Sequence, residues 1–196
     1  MATETTPGRG IRSARFVAAG TSLRIFIAPV VMALILADPG DRPGAPSVAA
    51  AALFAVAAAT DFLDGWLARH WEITTTLGSF LDTTADKLLV SGVLIALVGA
   101  DRVSSWIAAI IVGRELIILG LRAVVAADGA VMQPSMWGKL KTTVQFVAIL
   151  LAILRPGDLI AGQFLDEWVM VVAAAITIGS AIDYLARFSS ALGESR

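Results

Sequence analysis

At 196 residues, 57% of them hydrophobic and only 16% charged, the chain is too apolar for an ordinary soluble domain, in which about a quarter of residues are charged. Its formal net charge of −1 gives no basis for nucleic-acid binding, and the absence of cysteine excludes disulfides and thiolate metal sites. With one histidine, His70, any bound metal has to be held by oxygen ligands, which favours Mg²⁺, Mn²⁺ or Ca²⁺.

A helical membrane span needs about 20 mainly apolar residues. Residues 1–20 form a polar N-terminal segment in which "GRGIRSARF" spaces arginines three apart, either as a basic interfacial helix or as a disordered tail. A basic start before an apolar run also fits a first span, so a cleaved signal peptide is the weaker reading. Apolar stretches then follow at 22–38, 47–68, 77–100, 104–126, 138–155 and 166–187, separated by segments rich in turn formers or charge such as "DPGDRPGAP" and "RPGDLIAGQ". The sequence therefore predicts an all-α polytopic membrane protein, with six transmembrane helices in one domain over 21–188 and a short tail at 189–196. Arg9, Arg12, Arg15, Arg69, Arg122, Lys139, Lys141, Arg187 and Arg196 fall on one side of that arrangement, and only Arg42, Arg102 and Arg155 on the other. Positive charge marks the cytoplasmic side, so both termini are expected there.

Four carboxylates lie where hydrocarbon is expected, in "TDFLDGWLARHWEITTTLGSFLDTTADKLL". Asp61 and Asp64 come one to two turns before the second helix ends; Asp82 and Asp86 come one to two turns after the third begins. At about 1.5 Å per residue the two pairs sit at similar depth. A 100° step puts Asp61, Asp64, Gly65 and Ala68 on one face, and Gly78, Asp82 and Asp86 on one face of the next helix. Unpaired, each aspartate would cost about 2.5–3.5 kcal/mol in mid-membrane, and one or two divalent cations would offset that and the mutual repulsion. Gly65, Ala68 and Gly78 keep the same faces clear of bulk, and Arg69 stands at the mouth as an anion partner. Helix capping or ion pairs, such as Asp64 with Arg69 or Asp86 with Lys87 or Arg114, would explain one aspartate but not four on matched faces.

The pattern Asp61-x-x-Asp64-Gly65-x-x-Ala68-Arg69, eight residues, then Gly78-x-x-x-Asp82-x-x-x-Asp86 resembles the complete signature of the CDP-alcohol phosphotransferases. The resemblance implies a homodimer of six-helix protomers that displaces CMP from a CDP-linked lipid by an alcohol hydroxyl. It implies that Asp61, Asp64, Asp82 and Asp86 surround one or two Mg²⁺ or Mn²⁺ ions. Asp64, Gly65, Ala68, Arg69 and Gly78 would line the CDP site and Asp86 would be the general base. A carboxylate within hydrogen-bond reach can take the acceptor's proton, and Asp86 is the deepest of the four on its helix.

The remaining in-membrane charges lie in "GRELIILGLR" (113–122) and "MWGKLKTTVQ" (136–145). Arg114 and Arg122 are eight residues apart on one face, and Lys139 and Lys141 open the fifth helix. Such a group suits a second phosphate better than a neutral alcohol, whereas snorkelling to the interface is the ordinary reading for either lysine alone. Both segments resemble the bacterial phosphatidylglycerophosphate synthases, as does "TSLR" at Thr21–Arg24, with Thr21 on the CDP side. That likeness spans about 20–187 and implies CDP-diacylglycerol and glycerol 3-phosphate as substrates, within the lipids of the bacterial inner membrane. Arg114, Arg122, Lys139 and Lys141 would hold the acceptor phosphate. Thr83 stands where the family usually has proline, and Ala18 and Ala19 stand where asparagine or proline is frequent. Sister enzymes using phosphatidylglycerol, inositol phosphate or serine share the eight-position signature, so the acceptor stays open among them. A divalent-cation transporter is the non-enzyme alternative, but midplane carboxylates, broken helices and an internal repeat are lacking.

Overall fold

The computed structural model describes residues 24–40, 43–71, 76–127, 136–157, 159–160 and 162–194, with side chains described for these except 61–71, 76–83, 127, 136, 139, 159–160 and 189–194. Six helices occupy nearly all of this: α1 (Arg24–Leu36), α2 (Ala45–Trp71), α3 (Thr76–Gly99), α4 (Ser105–Ala127), α5 (Met136–Leu154) and α6 (Leu165–Glu194). The all-helical architecture agrees with the sequence expectation, and most boundaries fall within three residues of the apolar stretches. Helix α6 differs, running seven residues past 187 because nothing in "ARFSSALGE" breaks a helix. The connection between α5 and α6 holds a two-residue antiparallel pairing, Leu159 with Phe164 and Ile160 with Gln163, closed by Gly162 at φ 84°.

Local chemistry sets the helix ends. Pro46 is tolerated in the first turn of α2, where its missing N–H has no intrahelical partner. The N–H groups of Gly44 and Ser47 instead donate to the Asp38 carboxylate, at 2.7 and 3.4 Å. Helix α3 ends as Asp101 turns into the left-handed region at φ 54°, with Arg102 N–H donating back to Leu97 O. Helix α5 ends on Arg155 at φ 38°, followed by Pro156 and Gly157. Asp166 and Glu167 lie in the first turn of α6, where the helix dipole favours negative charge.

The core is a continuous apolar seam contributed by all six helices, including Val31, Phe54, Leu94, Ile111, Ile149 and Met170. Helix α6 packs on α5 and α4, α2 on α5, and α3 on α4 and α5. Close approach of α1 and α3 depends on Gly92, where an added Cβ would lie 2.8 Å from Met32 Sδ.

One end of the bundle is fastened by Arg102, a fully buried arginine. Its Nη1 donates to Ser47 Oγ (3.1 Å) and Ile153 O (2.6 Å), and its Nη2 to Asp38 O (2.5 Å) and Gly40 O (3.0 Å). The α1–α2 connection and the ends of α2, α3 and α5 thus meet around one guanidinium. The sequence reading counted Arg102 and Arg155 as loop charges; both are buried ties, Arg155 pairing with Glu167 at 3.1 Å under the Phe164 ring. Gathering these connections at one end leaves the α2–α3 and α4–α5 junctions, with the aspartates, at the other.

Candidate active site

Helix α2 is continuous through Trp71 and α3 starts at Thr76, so Asp61 and Asp64 are one turn apart on one helix and Asp82 and Asp86 one turn apart on the next. The helical state on which the shared-face expectation depends therefore holds in both segments. Gly65, Ala68 and Arg69 lie on α2 and Gly78 on α3, while Thr21 lies outside the described residues. The side chains of Asp61, Asp64, Ala68, Arg69, Asp82 and Lys139 also lie outside them, so their convergence with Asp86 stays an expectation.

Asp86 is half-buried, and its Oδ2 accepts from Lys87 Nζ at 3.1 Å. This is one of the ordinary ion pairs open to it in the sequence. Lys87 does more than that: the same ammonium lies 2.5 Å from Glu115 Oε2 on α4. Glu115 is 2% exposed and takes two further cations, Lys141 Nζ from α5 and Arg114 Nη1 at 3.3 Å, both on Oε1. Arg114 is held from the other side by α6, its Nη2 donating to Ser180 Oγ at 2.7 Å. Among the described residues, three cations and two carboxylates from α3, α4 and α5, with a hydroxyl from α6, thus form one network with one positive charge in excess.

The physical reason for that network is desolvation. A carboxylate this deep is stable only when paired and hydrogen-bonded, and Glu115 reaches cations from two other helices besides its neighbour Arg114. Lys141, 3% exposed, has its ammonium on Glu115, whose carboxylate replaces water as its partner, so it does not snorkel to a surface, the ordinary reading for either lysine alone. Arg122, two turns along α4 from Arg114, is exposed and stacks over Tyr184 of α6 at 5.8 Å from the ring centroid. Of the four expected phosphate cations, Arg114 and Lys141 meet at Glu115 and Arg122 stands apart. Lys139 is on α5, two residues before Lys141.

Polar capacity remains around the cluster. The Nε of Arg114, the Oε1 of Gln145, one turn beyond Lys141, and the hydroxyl of Tyr184 are buried with no hydrogen-bond partner among the described residues. Arg114 also forms part of the wall of an apolar groove of about 320 Å³ between α4 and α6, lined mainly by Ile110, Ile117, Ile178 and Ile182.

Lys87, Glu115, Ser180 and Tyr184 were not assigned roles in the sequence. Lys87 and Glu115 carried a usable signal, being ionisable residues in apolar stretches, which are functional by default. Ser180 and Tyr184 carried none, since a serine or tyrosine in a helix is too common.

The described helices thus form an all-helical bundle that carries the aspartate-bearing helix pair and the buried cluster around Glu115 at the same end. The chain belongs to the CDP-alcohol phosphatidyltransferase family, whose model matches residues 18–179. It is 37% identical over 185 residues to the CDP-diacylglycerol–glycerol-3-phosphate 3-phosphatidyltransferase of Bacillus subtilis (strain 168), covering 89% of this chain and 95% of that protein. It is 39% identical over 179 residues to a probable phosphatidylglycerophosphate synthase of Mycobacterium tuberculosis (strain ATCC 25618 / H37Rv), covering 90% and 82%. A protein of Sodalis glossinidius (strain morsitans) with the same name as the Bacillus relative is 41% identical over 140 residues, covering 69% and 75%.

Proposed function

We propose that this protein is a phosphatidylglycerophosphate synthase, which transfers the phosphatidyl group of CDP-diacylglycerol to sn-glycerol 3-phosphate and releases CMP. The observation that carries the proposal is the complete eight-position signature on two consecutive helices, at the end of the bundle that also holds the buried cation cluster. The likeness to proteins named for this reaction supports the choice of acceptor.

Asp61, Asp64, Asp82 and Asp86 offer hard oxygen donors at helical spacing, a set that fits Mg²⁺ or Mn²⁺, and these four would hold one or two such ions. Bound there, the metal supplies charge neutralisation for the pyrophosphate and polarises the phosphorus under attack. Gly65, Ala68 and Gly78, which bring little or no side chain, would admit the nucleotide, and Arg69, Asp64 and Thr21 would serve the same CDP site. The glycerol 3-phosphate hydroxyl oxygen forms the new bond to the phosphatidyl phosphorus, the bond from that phosphorus to the CMP oxygen breaks, and Asp86 accepts the hydroxyl proton. Lys87, 3.1 Å from Asp86 Oδ2, steadies that carboxylate. Arg114, with Arg122, Lys139 and Lys141, serves the acceptor's own phosphate, for which the excess positive charge of the cluster is suited.

The bundle spans the membrane, with residues 21–188 as its six-helix domain. Its outward surface supports this: Phe26 is 73% exposed and Trp106 79%, and Val56, Ile95, Ile117, Val147 and Ile182 face outward from α2 to α6. Among the described residues, Leu165–Phe188 is long and apolar enough to cross a bilayer by itself, while α4 carries Arg114, Glu115 and Arg122 within its apolar run. Residence in the bacterial inner membrane, with both termini and the active site cytoplasmic and two copies per assembly, completes the reading.

The test is to offer the purified protein CDP-diacylglycerol with Mg²⁺ or Mn²⁺ and each of glycerol 3-phosphate, phosphatidylglycerol, inositol phosphate and serine, and to measure CMP. CMP release with glycerol 3-phosphate alone is expected. Release with another acceptor instead would move the assignment within the family, and no release with any would reject it.

A further inference from the structure

The α6 helix has no part in the aspartate signature, yet it supplies the hydroxyl on which Arg114 rests. Ser180 is 1% exposed, and its Oγ accepts from Arg114 Nη2 at 2.7 Å while Glu115 Oε1 accepts from Nη1 at 3.3 Å. A guanidinium is planar, so fixing both terminal nitrogens fixes the direction of the remaining N–H groups. The Nε of Arg114 is one of these, buried and without a partner among the described residues. A buried N–H with no partner is costly to leave so, and it suits an anion that arrives later. The groove whose wall Arg114 shares between α4 and α6 is otherwise apolar, so it offers an anion no donor besides the guanidinium.

We infer that Ser180 is a positioning residue for Arg114 and thereby sets the affinity for the phosphorylated acceptor. The inference rests on the proposed function, since it takes glycerol 3-phosphate as the group Arg114 meets. Without the Ser180 hydroxyl, the guanidinium keeps only the Glu115 contact and swings about it, so the acceptor phosphate loses its fixed donors. CDP-diacylglycerol, bound at the signature end of α2 and α3, is unaffected by that loss.

The experiment measures CMP formation by the full chain in detergent, varying each substrate in turn, for wild type, Ser180→Ala, Ser180→Thr, Arg114→Ala and the double variant Ser180→Ala/Arg114→Ala. A hydrogen bond to a charged group corresponds to roughly a tenfold change in binding. Ser180→Ala is therefore expected to raise KM for glycerol 3-phosphate about tenfold, with KM for CDP-diacylglycerol and kcat little changed. Ser180→Thr keeps the hydroxyl and should restore the wild-type KM. The double variant should be no worse than Arg114→Ala, because residues acting through one another are not additive. An unchanged acceptor KM in Ser180→Ala, an equal rise for both substrates, or a further loss in the double variant overturns the inference. If Arg114→Ala leaves the acceptor KM unchanged, or wild type releases no CMP with glycerol 3-phosphate, the underlying acceptor reading fails first, and the inference with it.

Discussion

At the scale of single residues, this protein places several ionisable groups where they are most expensive and joins those between α3, α4 and α5 to one another. Glu115 is the clearest case: its carboxylate is the meeting point of Lys87, Lys141 and Arg114. Glu115→Ala takes the carboxylate partner from the buried Lys141 ammonium and leaves Lys87 with Asp86 alone, and breaking comparable buried pairs costs about 3–5 kcal/mol. A clear fall in the thermal unfolding midpoint of the detergent-solubilised protein is expected; a midpoint within a degree of wild type would mean the cluster does not hold the helices together. The aspartates predict the opposite pattern. Asp82→Asn is nearly isosteric and removes one charge from the proposed metal-binding set, so CMP release should drop about 100-fold while the unfolding midpoint stays near that of wild type. Retained activity would count against the metal-binding role.

At the scale of elements, the two ends of the bundle divide the work. Gly99, the last residue of α3, is thirteen residues beyond Asp86, about 20 Å at 1.5 Å per residue, so the Arg102 end is remote from the chemistry. Arg102→Ala strands the carbonyls of Asp38, Gly40 and Ile153, and about 3 kcal/mol or more of stability should be lost. Turnover at a permissive temperature should persist, and an inactive but fully stable variant would contradict the division. The same end gives a pH dependence. The Ser47 hydroxyl, then the Gly44 N–H, hold the Asp38 carboxyl below its ordinary value of 3.8. A depressed folded-state value means the stabilisation is complete above about pH 4 and is lost as pH falls through that depressed value. Asp38→Asn should remove this part of the acid dependence of unfolding, read as a flatter midpoint-versus-pH curve below pH 4.

At the scale of the whole molecule, the outward apolar surface and the inward charge cluster are two sides of one arrangement, because an unpaired charge is costly in lipid and a paired one is tolerated between helices. Trp106 and Trp168 begin α4 and α6 at the Arg102 end, and Trp137 begins α5 at the opposite end, as interfacial aromatics would. Reporter fusions at either terminus should be active only when the reporter works in the cytoplasm. Activity from a reporter that works only outside the inner membrane would invert the orientation derived from the arginine and lysine positions.

Much of this was legible in the sequence because its signals are local. Runs of about 20 apolar residues bounded by turn formers gave the six described helices and most of their ends, and a fixed spacing of Asp61, Asp64, Asp82 and Asp86 pointed to the family whose model matches residues 18–179. Helical periodicity depends only on neighbours along the chain, so it survives without a third dimension. Periodicity could not say what a charge touches across helices. Nothing near Lys141 in the chain points to its partner Glu115, twenty-six residues earlier. Arg102 read as a loop charge until four acceptors from distant segments converged on it, and Ser180 had no signal at all until α6 lay against α4. By itself the sequence determined the helices, their apolar surfaces and the aspartate spacing, because each is fixed by the residues within one or two segments. Only the tertiary structure decided the partners of the buried charges, because those are set by which helices become neighbours.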